Sequence, residues 1–346
     1  MYILYILFDF YLLAEEIIVI NLNDPELGFA LEAVRLASQM VKTIQGELVS
    51  PALTKDDRSP VTVADFASQA LVGTLLGEAF PDDPLVGEED SSALREDSVL
   101  LEQVTGFVRR FTRGATPEAV CDWIDRGSAA PGGRFWALDP IDGTKGFLRG
   151  DQYAVALALV VDGAVQLGVL GCPRLSDACL PDYSGPGSLV VSRRGLGTWT
   201  SPLEGERRFQ RLYTSTQDDP SQARLLRSFE AGHTNVGQID EFVQLMGVQA
   251  KPVRMDSQAK YAVLAAGKGE LLVRLLSPSM PDYREKIWDQ AAGSLVIQEA
   301  GGVITDLDGV PQDFTTGRTL RRNRGVLASN GHLHPKALEV LRQIGA

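Results

Sequence analysis

Residues 138–150 read LDPIDGTKGFLRG, and they place Asp139 and Asp142 on either side of a Pro-Ile pair, where an apolar run gives way to a turn. Two carboxylates about 4 Å apart repel by roughly 4 kcal/mol at an effective dielectric near 20, a large share of a domain's net stability. A chain that folds with both acids in one turn needs something to offset that repulsion.

The rest of the sequence limits what can do so. With 346 residues, 44% apolar and 23% charged, the chain is globular and long enough for two domains or one elaborate one. Its formal charge of −12 argues against a nucleic-acid polymer or an anionic membrane as partner, since both need clustered Lys and Arg. An anionic substrate would then draw its local positive charge from bound cations. Cys121, Cys172 and Cys179 are odd in number and lack metal-ligand spacing, so reduced thiols are expected, in the cytoplasm or a reducing organelle stroma. The apolar stretch 1–20 has no basic start and carries Asp9, Glu15 and Glu16, so it reads as an N-terminal extension, with no membrane role expected.

Apolar spacing of three and four predicts a helix over 25–44 and a second over 65–78, with the polar stretch KDDRSPVTVAD between them read as turn-rich. A short buried strand over 135–138 would deliver Asp139 at its end. Runs 153–161 and 164–170, joined by Asp162-Gly163, read as a hairpin. Residues 91–133 look irregular, like an insertion near the site. Gly185-Pro186-Gly187 is rich in breakers and reads as a boundary between an α+β unit over 21–185 and an α/β unit over 186–346. Beyond it come strands near 189–191 and 198–199, helices near 239–246 and 261–266, and a helix after Trp288 stopped by Gly301-Gly302. Strands alternating with helices mean layered α/β.

Asp57, Glu88, Asp139, Asp142 and Asp289 each lie at the end of an apolar run or the start of a helix. Singly, each reads as a solvated turn or a helix cap. Converging without cations they would have to protonate, and all-oxygen donors select Mg²⁺ or Mn²⁺ over zinc.

Four segments, SPVTVADFASQ, VGEED, LDPIDGTKGFLRG and EKIWDQAAGSLVIQEAGG, together resemble the inositol monophosphatase superfamily of Mg²⁺-dependent, lithium-sensitive phosphatases. GTKGFLRG and EKIWDQAAG are similar to its 3′(2′),5′-bisphosphate nucleotidase branch. The resemblance implies a layered αβαβα sandwich of the inositol monophosphatase and fructose-1,6-bisphosphatase type. It also implies hydrolysis of adenosine 3′,5′-bisphosphate to AMP and phosphate, with 3′-phosphoadenosine 5′-phosphosulfate as a second substrate. Glu88, Asp139, Asp142, Asp289 and the Ile141 carbonyl would hold two or three Mg²⁺ ions per site. Asp57 and Thr144 would orient and activate the attacking water, and the amides of Gly143 and Thr144 would face the phosphate. Ser257, Lys260 and Arg274, within the branch-like stretch 256–275, and His233 would contact the nucleotide. The rival implications are an inositol polyphosphate or monophosphate phosphatase, and an inactive nucleotide sensor on the same fold. The sequence leaves oligomeric state open.

Three further signals read blandly. His332 and His334 precede Pro335 at a helix start, Arg193 to Gly197 reads as a hairpin, and Arg318, Arg321, Arg322 and Arg324 read as a solvated loop.

Overall fold

A computed structural model describes residues 23–49, 59–178, 180–181, 185–229 and 236–346. The extension 1–20, Asp57, Cys179 and His233 lie outside the described residues. Helix α1, Pro25–Leu48, starts where Asp24 accepts from the amides of Glu26 and Leu27 and Pro25 occupies the first turn, and it buries the expected stripe from Leu27 to Ile44. Helix α2, Ser59–Ala79, begins six residues before the expected Asp65. Pro60 falls in its first turn, where a missing N–H is no loss, so the stretch read as turn-rich is helical from Ser59 onward.

Strand β1, Leu85–Gly87, leads into a segment that differs from the expected irregular insertion. It forms helices α3 (Ser92–Glu96), α4 (Ser98–Val108) and α5 (Pro117–Asp125). Asp97 caps α4 and Thr116 caps α5, each accepting from backbone amides of the first turn. Strand β2, Arg134–Asp142, then ends in the acidic turn, and α6, Thr144–Arg149, follows. The expected hairpin is β3, Ala154–Val161, with β4, Ala164–Cys172; Val161 pairs with Ala164, and Asp162 and Gly163 both take the positive φ that such a two-residue turn demands.

After the short pair β5 (Leu175–Ser176) and β6 (Leu180–Pro181) come β7 (Ser188–Arg193), β8 (Gly197–Pro202) and β9 (Gln210–Leu212). All three join a sheet of order β1-β2-β3-β4-β7-β8-β9. The Gly185-Pro186-Gly187 turn therefore lies inside one run of strands, and the change of sheet comes after Leu212, a difference from the expected boundary. The turn between β7 and β8 is the hairpin expected at Arg193 to Gly197.

The second sheet, ordered β11-β10-β12-β14-β13, comprises β10 (Leu225–Arg227), β11 (Val253–Arg254), β12 (Leu271–Arg274), β13 (Val303–Thr305) and β14 (Val326–Ser329). Its helices are α7 (Val236–Met246), α8 (Ala259–Ala265), α9 (Ala291–Glu299) and α10 (His334–Gln343). His334 is buried at the start of α10, its ring bonded to the hydroxyls of Ser329 and Thr305, which is the structural turn role expected of it.

Alternation along the strands sorts the apolar side chains into three cores. Trp136, Leu138, Leu157 and Val169 face α1 and α2. Phe135, Ala137, Ala158 and Leu170, on the opposite face, meet α8 and α9, which also cover Leu226, Leu272 and Ala328 of the second sheet. Leu225, Leu271 and Leu327 close against α7 and α10. The layers run helix, sheet, helix, sheet, helix, the expected αβαβα sandwich. Among the described residues no helix is long and apolar enough to cross a membrane, and Cys121 and Cys172 are buried free thiols.

Candidate active site

The turn at the end of β2 is built so that its acids face one way. Asp139 pairs with Ala156 and Asp142 with Ala154, with a register shift between them. Opposed residues share a face, so two acids three positions apart project from the same side of the sheet, toward α8 and α9. Pro140 suits the irregularity because it has no amide to give to the ladder. Its carbonyl accepts from Ser68 Oγ of α2 at 3.0 Å, which ties the bulge to the layer behind. Gly143 then turns the chain at φ 91°, and a side chain there would meet Ser257 Cβ at 2.8 Å. Ile141 is buried within the bulge, and Thr144 is exposed at the start of α6.

Burial and mutual repulsion together define an acidic cluster. Asp139 is 2% exposed, and its carboxyl is pushed well above the usual range, first by loss of solvent and then by the charges of Glu88, Asp142, Asp289 and Asp65. Asp289 is raised well above its ordinary value by burial, Asp142 and Glu285, against the pull of Arg274. Asp142 is raised by burial, while Lys260 and a bond from the Gln258 amide at 2.6 Å hold it down. Glu88, which keeps contact with solvent, is raised to about 7 by desolvation of its carboxylate and by Glu89 and Asp142.

The sequence reading did not single out Asp65. It lies one and a half turns into α2, 7% exposed, and its carboxyl is raised well above the ordinary value by burial and by Glu89 and Glu88. Asp57, the acid expected from this region, lies outside the described residues; Asp65 is the one the structure brings to the cluster. Gln69, one turn on, was also missed. Its amide accepts from Glu89 N at 3.0 Å and donates to the carbonyls of Glu89 and Ile124 at 2.6 and 2.9 Å, fixing the loop that carries Glu88. The only local hint was an acid and an amide at positions i and i+4 of a mostly apolar helix, a pattern that does not by itself show that both are buried.

The second half of the molecule completes the site. Asp289 sits in the turn just before Gln290, the cap of α9, rather than opening the helix as expected. Gln258 spans the two halves: its amide bonds Asp142, and its side chain donates to Trp288 O at 3.0 Å and accepts from Gly293 N at 3.2 Å. Arg149 of α6 reaches Asp256, and Ser257 beside it takes φ 67°, a left-handed conformation that costs a serine of order 1 kcal/mol or more and is met most often at functional sites.

These groups open onto a cavity of about 630 Å³ that includes Asp142, Thr144, Ser257, Lys260, Arg274 and Asp289 in its walls. Lys260 donates to Ser228 Oγ at 3.0 Å, and burial lowers its pKa while Asp142 and Asp256 oppose the shift. Arg274 is ion-paired with buried Glu285 at 2.9 Å and stacks on Tyr283, so neither cation is a plain surface charge. His233, the other expected nucleotide contact, lies outside the described residues.

The cluster's chemistry suits a divalent cation. Asp139 Oδ1 and Asp65 Oδ1 are buried acceptors with no hydrogen-bond donor among the described residues, and every candidate ligand atom is oxygen. Among the described residues no three acidic, His or Cys side chains stand in metal-holding geometry as placed.

Comparisons with known proteins agree with this architecture. Residues 23–346 match the model of the inositol monophosphatase family. A 3′(2′),5′-bisphosphate nucleotidase of Schizosaccharomyces pombe is 41% identical over 336 residues, covering 91% of this chain and 94% of its own. A rice protein of the same name, from Oryza sativa, is 40% identical over 343 residues, covering 93% and 95%. Among solved structures, an IMPase of Thermotoga maritima superposes with a TM-score of 0.61 at 20% identity, covering 92% of this chain and 98% of that one, and an inositol monophosphatase of Anabaena gives 0.60 at 20% identity, covering 92% and 94%. Layer order, acidic cleft and sequence match thus converge, and the chain belongs to the inositol monophosphatase family.

Proposed function

We propose that this protein is a magnesium-dependent 3′(2′),5′-bisphosphate nucleotidase that converts adenosine 3′,5′-bisphosphate to AMP and phosphate. One observation carries the reading beyond the relatives' names: Asp142 and Asp289 of the acidic cluster and the cations Lys260 and Arg274 line one cavity, which also takes in Arg227 and Arg254. Such a cavity combines acids suited to metal-assisted chemistry on one phosphate with cations suited to a second phosphate that is retained.

In this reading Glu88, Asp139, Asp142 and Asp289, with the Ile141 carbonyl, would hold two or three Mg²⁺ ions. Bound there, the ions supply acidified water and neutralise charge on the phosphate and the departing oxygen. The chain's own residues do the rest. The Thr144 hydroxyl, exposed in the cavity wall, orients water, and an acid from this N-terminal region, Asp57 as expected or the buried Asp65 of the cluster, acts with it. The amides of Gly143 and Thr144 face the phosphate. Lys260, Ser257 and Arg274 bind and orient the nucleotide, Arg274 being fixed in its direction by Glu285.

The test is a phosphate-release panel of adenosine 3′,5′-bisphosphate, 3′-phosphoadenosine 5′-phosphosulfate, inositol 1,4-bisphosphate and inositol 1-phosphate, with and without Mg²⁺. Mg²⁺-dependent release is expected, with kcat/KM at least about tenfold higher on the nucleotides than on the inositol phosphates. A preference for inositol phosphates would assign the cavity to them, and no release from any substrate would leave a binding protein.

A further inference from the structure

Arg318 departs from the solvated loop expected of it and of its neighbours. Arg322 pairs with Asp313 at 2.9 Å, Arg324 approaches Asp308 at 3.5 Å, and Arg321 is exposed. The Arg318 side chain instead turns inward, and among the described residues no carboxylate pairs with it. One guanidinium nitrogen donates to the carbonyls of Gly127 and Ala129 at 3.1 and 3.3 Å, the other donates to the carbonyl of Gly87, and the cationic centre lies 4.8 Å from the centroid of the Trp288 ring.

Two of those partners are one residue from an acid of the cluster. Gly87 precedes Glu88, and Trp288 precedes Asp289. The backbone repeats the link: Ile287 N donates to Arg318 O at 3.1 Å, and Leu320 N donates to Glu285 O at 2.9 Å. A single side chain therefore grips the segment that delivers Glu88 from the first sheet and the segment that delivers Asp289 from the second. The grip is specific to arginine, because a planar fork can serve several carbonyls while its face stacks on an indole, and an ammonium cannot do both. The charge of Glu88 acts on Asp289 across the gap between the two segments, so like charges on them favour separation. A strap across them resists that separation.

We propose that Arg318 is a positioning residue that sets the spacing of the Glu88 and Asp289 segments and so determines the protein's affinity for divalent ions; the inference rests on the reading that these two acids hold such ions. Support from outside the first ligand shell is worth about 10- to 100-fold in metal affinity in other metalloproteins. The test is calorimetric titration of Mn²⁺ into substrate-free wild-type protein and the variants Arg318→Gln, Arg318→Lys and Arg321→Gln, with urea unfolding in EDTA alongside. The expected result is Mn²⁺ binding by the wild type and Arg321→Gln alike, about tenfold or greater weakening in Arg318→Gln, and an intermediate loss in Arg318→Lys. Turnover of Arg318→Gln should recover toward the wild-type kcat at saturating Mn²⁺, with KM for substrate unchanged, which general destabilisation would not produce. Wild-type Mn²⁺ affinity in Arg318→Gln would overturn the inference while leaving the metal reading intact. Absence of Mn²⁺ uptake by the wild type would instead remove the metal reading and the inference with it. Should Arg318→Gln fail to fold, Arg318→Lys decides: weakened binding supports the strap, and unchanged binding refutes it.

Discussion

Glu88 stands at the solvent side of the cluster with its carboxyl raised to about 7, against 4.5 in the unfolded chain, because its surroundings desolvate it and Glu89 and Asp142 repel its charge. A carboxyl with a raised folded pKa binds protons preferentially in the native state, so the stability it contributes is fully present below about 4.5 and is lost as pH rises through about 7. Asp139, Asp142 and Asp289 shift in the same direction. Metal-free protein should therefore melt at progressively lower temperature as pH rises from about 5 to about 8, and Mg²⁺ should reverse the loss with a larger gain at the higher pH. Melting curves in EDTA and in Mg²⁺ across that range check this, and a metal-free melting point that climbs toward pH 8 would contradict it. Removing one charge makes the same point chemically. Asp142→Asn keeps an oxygen to accept from Gln258 N but relieves repulsion, so it should lower turnover at least about a hundredfold while leaving the metal-free protein as stable as the wild type or more so. Phosphate release and urea unfolding of the same preparation report both halves of that expectation.

At the scale of single elements, α2 does more than cover the sheet. Asp65, Ser68 and Gln69 fall on one face of it and reach, in turn, the acidic cluster, the Pro140 carbonyl and both sides of Glu89. Gln69→Leu would leave the Glu89 amide and two carbonyls without their partner, so it should cost about 1 to 3 kcal/mol in urea unfolding and weaken divalent-ion binding together with stability. An unchanged unfolding midpoint would mean that water or another group replaces the amide. This helix also marks where the sequence stopped being legible. The acidic turn could be read because Asp139, Pro140, Asp142 and Gly143 fall within five residues and each is anomalous in a strand, and the Asp162-Gly163 hairpin could be read because its turn chemistry is local. Asp65 could not, because an acid on a helix normally marks its solvent face and only tertiary packing shows that α2 is covered on all sides. The start of α2 was obscured by Pro60, whose helical tolerance depends on a first-turn position that cannot be known until the helix is placed. The helices of 92–125 carried their caps in plain view at Asp97 and Thr116, but their short apolar stripes gave no clear period.

Across the whole molecule, the change of unit was misplaced for a reason of the same kind: β7, β8 and β9 look like strands of a new domain after a Gly-Pro-Gly turn, and only pairing of β7 with the distant β4 shows that they extend the first sheet. Long-range pairing is invisible to local pattern, whereas the alternation that sorts the three cores is not. The layer between the sheets has a consequence for stability. Helices α8 and α9 cover Ala158 and Leu170 of the first sheet and Leu226 and Ala328 of the second, and the turns entering those helices carry Gln258 and Asp289 into the same cluster as Asp139 and Asp142. Neither sheet can then unfold without uncovering the core of the other, and ions held by acids of both halves should stabilise them as one unit. Calorimetric melting is expected to give one transition that Mg²⁺ raises as a whole, by about 2.7 kcal/mol at a hundredfold excess over Kd. The Mg²⁺-induced rise should shrink in Asp289→Asn and in Asp139→Asn alike, although the two acids come from opposite sides of the cleft. Two separable transitions, of which only one responds to Mg²⁺, would show instead that one half holds the ions alone and that the middle layer joins units of independent stability.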